Sequence, residues 1–197
     1  MSLALFFDTE TTGLFDDRVP VDHPNQPHIV QLAAQLCSDD GAPISGFSFI
    51  IDNGTEIPER AAAVHGITRE RAAAVGVPLD FAISAFQHLY RRADIVVAHN
   101  IKFDRFIIEI AIARVHGKIM PLRKPLFCTM EVAAPIVNLP PTDRMKAAGF
   151  NKPKPPKLAE CVEHFFGEEL AGAHDAMVDL TACRRVYFHL RSLEKTA

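Results

Sequence analysis

The chain has 197 residues, 48% of them hydrophobic, and a formal net charge of −3. That length suits one domain, residues 1–197, with a sizeable core, and the hydrophobic content excludes a disordered chain. No apolar run approaches a membrane span. The apolar start turns acidic after a few residues, without a basic region or cleavage site, so no export signal is expected and the cytoplasm is. The slightly acidic balance excludes an all-over basic surface, but it leaves room for a local basic patch that meets phosphates.

In chain order, LALFF (3–7) predicts a buried strand from which Asp8 emerges at the sheet edge. Residues 15–28, rich in proline, aspartate and histidine, predict a loop. Residues 29–39 and 43–52 predict two strands joined as a hairpin by the DDGAP turn. Pro58–Ala63 and Thr68–Val75 predict short helices split by His65-Gly66-Ile67, and Leu79–Arg92 a longer one. DIVVAH (94–99) predicts a strand, 101–116 a strongly apolar helix, and PLFCT (125–129) a brief strand leading into a helix that ends near Ile136. The proline-rich stretch 137–156 has no periodicity and predicts a long loop. Residues 158–167 and 176–193 predict amphipathic helices, the first stopped by Gly167. The element order gives an α/β fold: a mixed sheet of about five strands flanked by helices. Cys37, Cys128, Cys161 and Cys183 are far apart, form no CxxC pair, and read as small buried apolar residues, with no zinc site expected.

Three groups of residues carry potential chemistry. In Asp8-Thr9-Glu10 the two acids share one side of a strand, where they suit a hard cation. On spacing alone, two solvated acids at a strand end remain the stronger reading. In His99-Asn100-Ile101-Lys102-Phe103-Asp104, Asp104 falls in the first turn of a helix, where exposed amides favour a carboxylate. Asn100 fits an ordinary helix cap. In His174-Asp175-Ala176-Met177-Val178-Asp179, the histidine precedes the last helix and Asp179 lies one turn inside it. There a part-buried acid needs a cation or a hydrogen bond, and a plain surface acid fits the pattern as well.

Together these groups are far more specific. FFDTETTGL (6–14), VHGIT (64–68), VVAHNIKFDRFII (96–108) and AHDAMVDLTAC (173–183), with KLAECVEHFFGEEL (157–170), resemble the DEDDh 3′–5′ exonuclease family, which includes the proofreading subunit of bacterial DNA polymerase III. The resemblance spans nearly the whole chain. It implies a ribonuclease H-like fold, with Asp8, Glu10, Asp104 and Asp179 as the metal-binding acids and His174 as general base. A tyrosine branch of near relatives places its tyrosine four residues before the last aspartate. Here that position is Asp175 and His174 stands five before, which fits the histidine branch.

The implied cofactors are two divalent cations about 3.5–4 Å apart, Mg2+ with Mn2+ as substitute, clamping the attacking and leaving oxygens of a phosphodiester. The implied partner is a nucleic acid with a free 3′ end, single-stranded by preference, releasing nucleoside monophosphates. The resemblance further gives Thr9, Thr11, Thr12, Gly13 and Leu14 to the 3′-terminal nucleotide, with His65, Asn100 and Phe103 beside it. Gly13 also suits a plain tight turn, His65 a cap or core position, and Phe103 the core. Arg144, Lys146, Lys152, Lys154 and Lys157 form an acid-free run after Asp143 that suits phosphates upstream of the scissile bond, or a solvated loop.

The short stretch after the last motif fits a free-standing enzyme, or one that meets a polymerase or other protein through its surface. DNA is favoured over RNA, with an RNA-trimming enzyme on the same fold as the alternative. A catalytically silent nucleic-acid-binding module and a different metal phosphoesterase are further readings. The first would lack one of the five groups, and products would reveal the second.

Overall fold

A computed structural model of the chain describes residues 2–194. A hairpin-linked meander comes first: β1 (Leu3–Thr11), β2 (Ile29–Ser38) and β3 (Pro43–Ile50). Then come α1 (Glu59–His65), α2 (Arg69–Val75), α3 (Leu79–Arg92), β4 (Ile95–Ala98), α4 (Ile101–His116), β5 (Leu126–Cys128) and α5 (Thr129–Val137). The chain closes with α6 (Asp143–Ala147), α7 (Leu158–Phe166) and α8 (Ala176–Glu194). The five strands lie in the order β3-β2-β1-β4-β5. β1 is antiparallel to β2 and β2 to β3, whereas β4 runs parallel to both β1 and β5. This mixed sheet flanked by helices is the ribonuclease H-like architecture the sequence led us to expect.

The central strand shows how patterning builds the core. Successive side chains on β1 point to opposite faces. Leu5 and Phe7 enter the cluster built with Ile83 and Phe86 of α3 and Ile107 and Ile108 of α4. Ala4 and Phe6 enter the opposite cluster, with Leu180, Cys183 and Tyr187 of α8. Both faces are covered, so LALFF reads as an unbroken apolar run. All four cysteines are buried and unpaired, as expected. No helix among the described residues is long and apolar enough to cross a membrane.

Three boundaries differ from expectation. β1 does not end at the first acid. It continues to Thr11 because β2 pairs alongside, setting Asp8 opposite Ala33 and Glu10 opposite Gln31. The stretch 137–156 is not all loop: α6 forms within it, with the Thr142 side chain accepting from Met145 N. α6 has no buried residue, so no apolar stripe announced it. α1 runs beyond Ala63 to His65 and stops at Gly66, whose φ of +70° suits a residue without a Cβ.

Candidate active site

β4 pairs only with Ala4–Phe6 of β1. Beyond Phe6 the strand therefore has a free side, and a crevice opens at the carboxyl ends of the parallel strands, where open α/β sheets take ligands. Alternation puts Asp8 and Glu10 on the Phe6 face, towards α8, and Thr9 on the α4 side. The unpaired backbone N–H of Thr9 donates to Asp104 Oδ1 at 3.1 Å, and Thr9 Oγ1 donates to the same oxygen at 2.8 Å. Asp104 lies in the first turn of α4 and is 3% exposed. Asn100 does not cap that helix through its side chain. It stands at the N-cap in the left-handed region, φ +66°, with no side-chain cap bond. The helix is entered by a backbone twist that asparagine tolerates.

The last acid arrives from the far end of the chain. Asp175 caps α8, accepting from Met177 N at 3.0 Å and Val178 N at 3.3 Å. Gln31 on β2 locks this corner. Its Nε2 donates to Asp175 Oδ2 at 3.1 Å and its Oε1 accepts from Ala176 N at 3.2 Å. His174 takes a positive φ of +69°, and its N–H donates to Asp179 Oδ2 at 3.0 Å. The other oxygen, Asp179 Oδ1, is buried without a hydrogen-bond partner. Glu10, His174 and Asp179 each offer a donor atom within 4.8 Å of one another.

Asp8, Glu10, Asp104, Asp179 and His174 thus line one cavity of about 280 Å³, with Thr9, His99, Asn100, Phe103 and Leu158. Its electrostatics are strained. Asp8 is raised well above the usual carboxylate range, first by burial of its carboxyl and then by the charges of Asp104, Asp179 and Glu10. Burial, and then the charges of Asp179, Asp104 and Asp175, push Glu10 up to about 8. Asp104 is pushed up to about 7 by burial, against the opposing bonds from Thr9. Asp179 is raised by burial too, against the bond from His174 N. Carboxylates crowded this closely ionise together only when cations relieve their repulsion. The orphaned Asp179 oxygen and an acid-rich, thiolate-free donor set fit a hard divalent ion.

A second cavity of about 480 Å³ adjoins the first and shares Thr9, Glu10, Asn100, Phe103 and His174 with it. Thr11, Thr12, Gly13, Leu14 and His65 also line it, so all eight expected substrate contacts meet here. Thr11 Oγ1 donates to Gly13 O at 2.6 Å, and Thr12 exchanges bonds with His28, closing a tight turn. Leu14 is 85% exposed at the turn's tip. His65 Nδ1 accepts from Ile67 N at 3.1 Å, which puts the ring proton on Nε2. That Nε2 is buried without a partner. Phe103 lines both cavities and also packs on Phe15 at 5.8 Å. Phe15 also stacks on Phe106 at 4.8 Å. The loop behind the turn is held by buried Gln26, whose Nε2 donates to Asp16 O and Pro20 O, and by Arg114 on Pro27 O.

The roles of several wall residues escaped the sequence reading. His99 contacts Thr129 Oγ1 at 2.9 Å and Pro156 O at 3.0 Å, and burial holds its pKa down to about 4. Arg60 and Val64 of α1 line the second cavity, and Leu158 the first. Gln31 carries no motif signal, because its partners Asp175 and Ala176 are far away in sequence. The basic run is also not uniform: Lys154 pairs with Glu160 at 2.5 Å and Lys146 with Asp143 at 3.5 Å.

A family model described as Exonuclease matches residues 5–187. A DNA polymerase III subunit epsilon-like protein of Rhodobacter capsulatus is 35% identical over 100 residues, which are 50% of this chain and 13% of that protein. The structure of Escherichia coli exonuclease I with a dT13 oligonucleotide superposes with a TM-score of 0.73 at 20% identity, over 97% of this chain and 41% of that one. A moderately thermophilic exonuclease I from Methylocaldum szegediense gives a TM-score of 0.72 at 18% identity, over 98% of this chain and 41% of that one. The chain therefore spans less than half the length of the relatives it matches, and the structural likeness is one of fold.

Proposed function

Because the chain belongs to the exonuclease family whose model spans its residues 5–187, we propose that it is a DEDDh-type enzyme that removes nucleoside monophosphates one at a time from 3′ ends. The observation that carries this reading is the convergence of Asp8, Glu10, Asp104, Asp179 and His174, drawn from β1, α4 and the entrance to α8, on a single cavity. Asp8, Glu10, Asp104 and Asp179 would hold two divalent cations, Mg2+ with Mn2+ as substitute. Such ions supply charge neutralisation at the attacking and leaving oxygens of an in-line displacement.

The protein's own contributions follow from the geometry. Thr9 fixes the Asp104 carboxylate through two donors, and Gln31 with Asp175 fixes the start of α8. Those contacts hold the acids in place before substrate arrives. His174, 4.8 Å or less from Glu10 and Asp179 donor atoms, is placed to take the proton of the attacking water. The terminal nucleotide enters the second cavity, with its base against Leu14 and Phe103. His65 Nε2–H and the Thr11–Gly13 turn serve its sugar.

DNA is the favoured substrate, since exonuclease I structures contain dT13 and dA16 oligonucleotides. Single strands suit a cavity that takes an unpaired base. The test is digestion of end-labelled DNA and RNA strands of matched sequence with Mg2+ or Mn2+. A ladder shortening from the 3′ end is expected, with the DNA strand digested faster. Equal cleavage of a circular single strand would overturn the exonuclease assignment, and faster RNA digestion would move the substrate to RNA.

A further inference from the structure

The two cavities give the substrate a direction. A terminal nucleotide in the cavity of Thr11, Leu14 and His65 puts its scissile phosphate at the acids. The rest of the strand must then leave past the wall of the first cavity that the second does not share. Apart from the acids, that wall is His99 and Leu158. Leu158 opens α7, and His99 grips the carbonyl of Pro156, two residues earlier, at 3.0 Å. Pro156 is buried, while Lys152 and Lys157 on either side of it are exposed. The segment is thus pinned to the pocket at one point and presents lysines outward.

The cations on this segment are not equivalent. Lys154 is spent internally: its Nζ lies 2.5 Å from Glu160 Oε1, and its backbone N–H donates to Leu139 O at 3.0 Å. Lys152 and Lys157 form no ion pair among the described residues, although Glu160 accepts from Lys157 N at 2.6 Å and its charge also reaches the Lys157 ammonium, more weakly than that of Lys154. Phe150, 62% exposed, stands two residues before Lys152. An exposed aromatic beside unpaired lysines is the chemistry that holds single-stranded nucleic acid, by stacking and phosphate contact together.

We propose that the segment from Phe150 to Leu158 is a rail for the single strand behind the scissile phosphate, with Lys152 and Lys157 on its phosphates, Phe150 against a base, and His99 as the positioning residue that docks it to the active site. The direction of the strand rests on the 3′-exonuclease reading; the binding surface itself is tested apart from turnover. The rail makes grip depend on strand length, because a dinucleotide does not reach it.

The experiment is fluorescence anisotropy of labelled dodecathymidylate over a range of salt, with calcium in place of magnesium. It is paired with KM and kcat on di-, tetra- and dodecathymidylate in magnesium. The double substitution Lys152→Ala, Lys157→Ala should raise Kd and flatten the salt slope by about 1.4, about 0.7 for each lost contact on a single strand. The ratio of its KM to that of the unaltered protein should grow with strand length. Phe150→Ala should weaken binding about fivefold or more without changing the slope. Lys154→Ala should leave the slope in place, because its charge is already matched by Glu160. An unchanged Kd and slope in the double variant would overturn the rail, as would an equal loss of slope in Lys154→Ala. A protein that binds with the expected slope but digests no strand would retain the rail and overturn the nuclease reading instead.

Discussion

Replacing Asp104 with Asn should make the cation-free protein more stable while abolishing turnover. Asp104 is 3% exposed and its carboxyl is raised from 3.8 to about 7 by burial. A carboxyl with a raised folded value keeps a proton that the unfolded chain gives up. Stability is therefore lost as pH rises from about 4 through about 7, and the full penalty applies above that. Three units correspond to about 4 kcal/mol at pH 8. The acids share their protons as a group, and an amide replaces one oxygen, so about half that gain is expected. Thr9 keeps both its bonds, because the Asn carbonyl accepts as the carboxylate did. About 2 kcal/mol is worth roughly 4–8 °C in a chain of this size. Thermal melts in chelator at pH 8 should show that rise, and melts at pH 5 about a third of it. Saturating magnesium should lift the unaltered protein by about 2–4 kcal/mol at pH 8 and the variant by much less. An Asp104→Asn protein that melts at or below the unaltered one in chelator at pH 8 would refute the strained-cluster argument.

Asp8→Ala, Glu10→Ala and Asp179→Ala should each remove most turnover yet melt no lower than the parent without cations, and a folded, fully active variant would remove that residue from the site. His174→Ala should lose about 10²–10⁴-fold in kcat while keeping its stabilisation by magnesium, since the four acids remain; near-normal kcat would end its assignment as base. Gln31→Leu should cost stability, because Asp175 and Ala176 N lose buried partners, and kcat with it as α8 shifts. A melting temperature and kcat both unchanged would show that Gln31 positions nothing. Blunt duplex should be digested more slowly than single strand, by the cost of opening the end pair, and the reverse order would argue against the unpaired-base cavity.

Much of this was legible in the sequence. The helical spacing of α3 and α4 matched the structure to the residue, since each packs a full apolar stripe on the sheet. The four acids and His174 were found through their motifs, and the structure brings them to one cavity. What stayed hidden was hidden for physical reasons. The acids of β1 interrupt its apolar run, so its true end at Thr11 depends on pairing with β2. Asn100 looks like a cap by type, but its left-handed backbone is a property of the chain path. Gln31 and His99 bond to groups 144 and 57 residues away, and no local pattern announces such partners. The basic run read as uniform until Glu160 was seen to claim Lys154.

The spread of the site along the chain has a consequence for the protein's making. Two of the acids lie on the first strand and a third on α4, but Asp179 and His174 belong to the last helix and its entrance. Synthesis runs from the amino end, so Asp8, Glu10 and Asp104 are made well before Asp179 and His174 can complete the cluster. Gln31 waits on β2 for a partner 144 residues later. The acid cluster is therefore complete only once α8 has been made. A chain halted before α8 and its entrance lacks both Asp179 and His174, so the cavity that gathers the four acids cannot be completed.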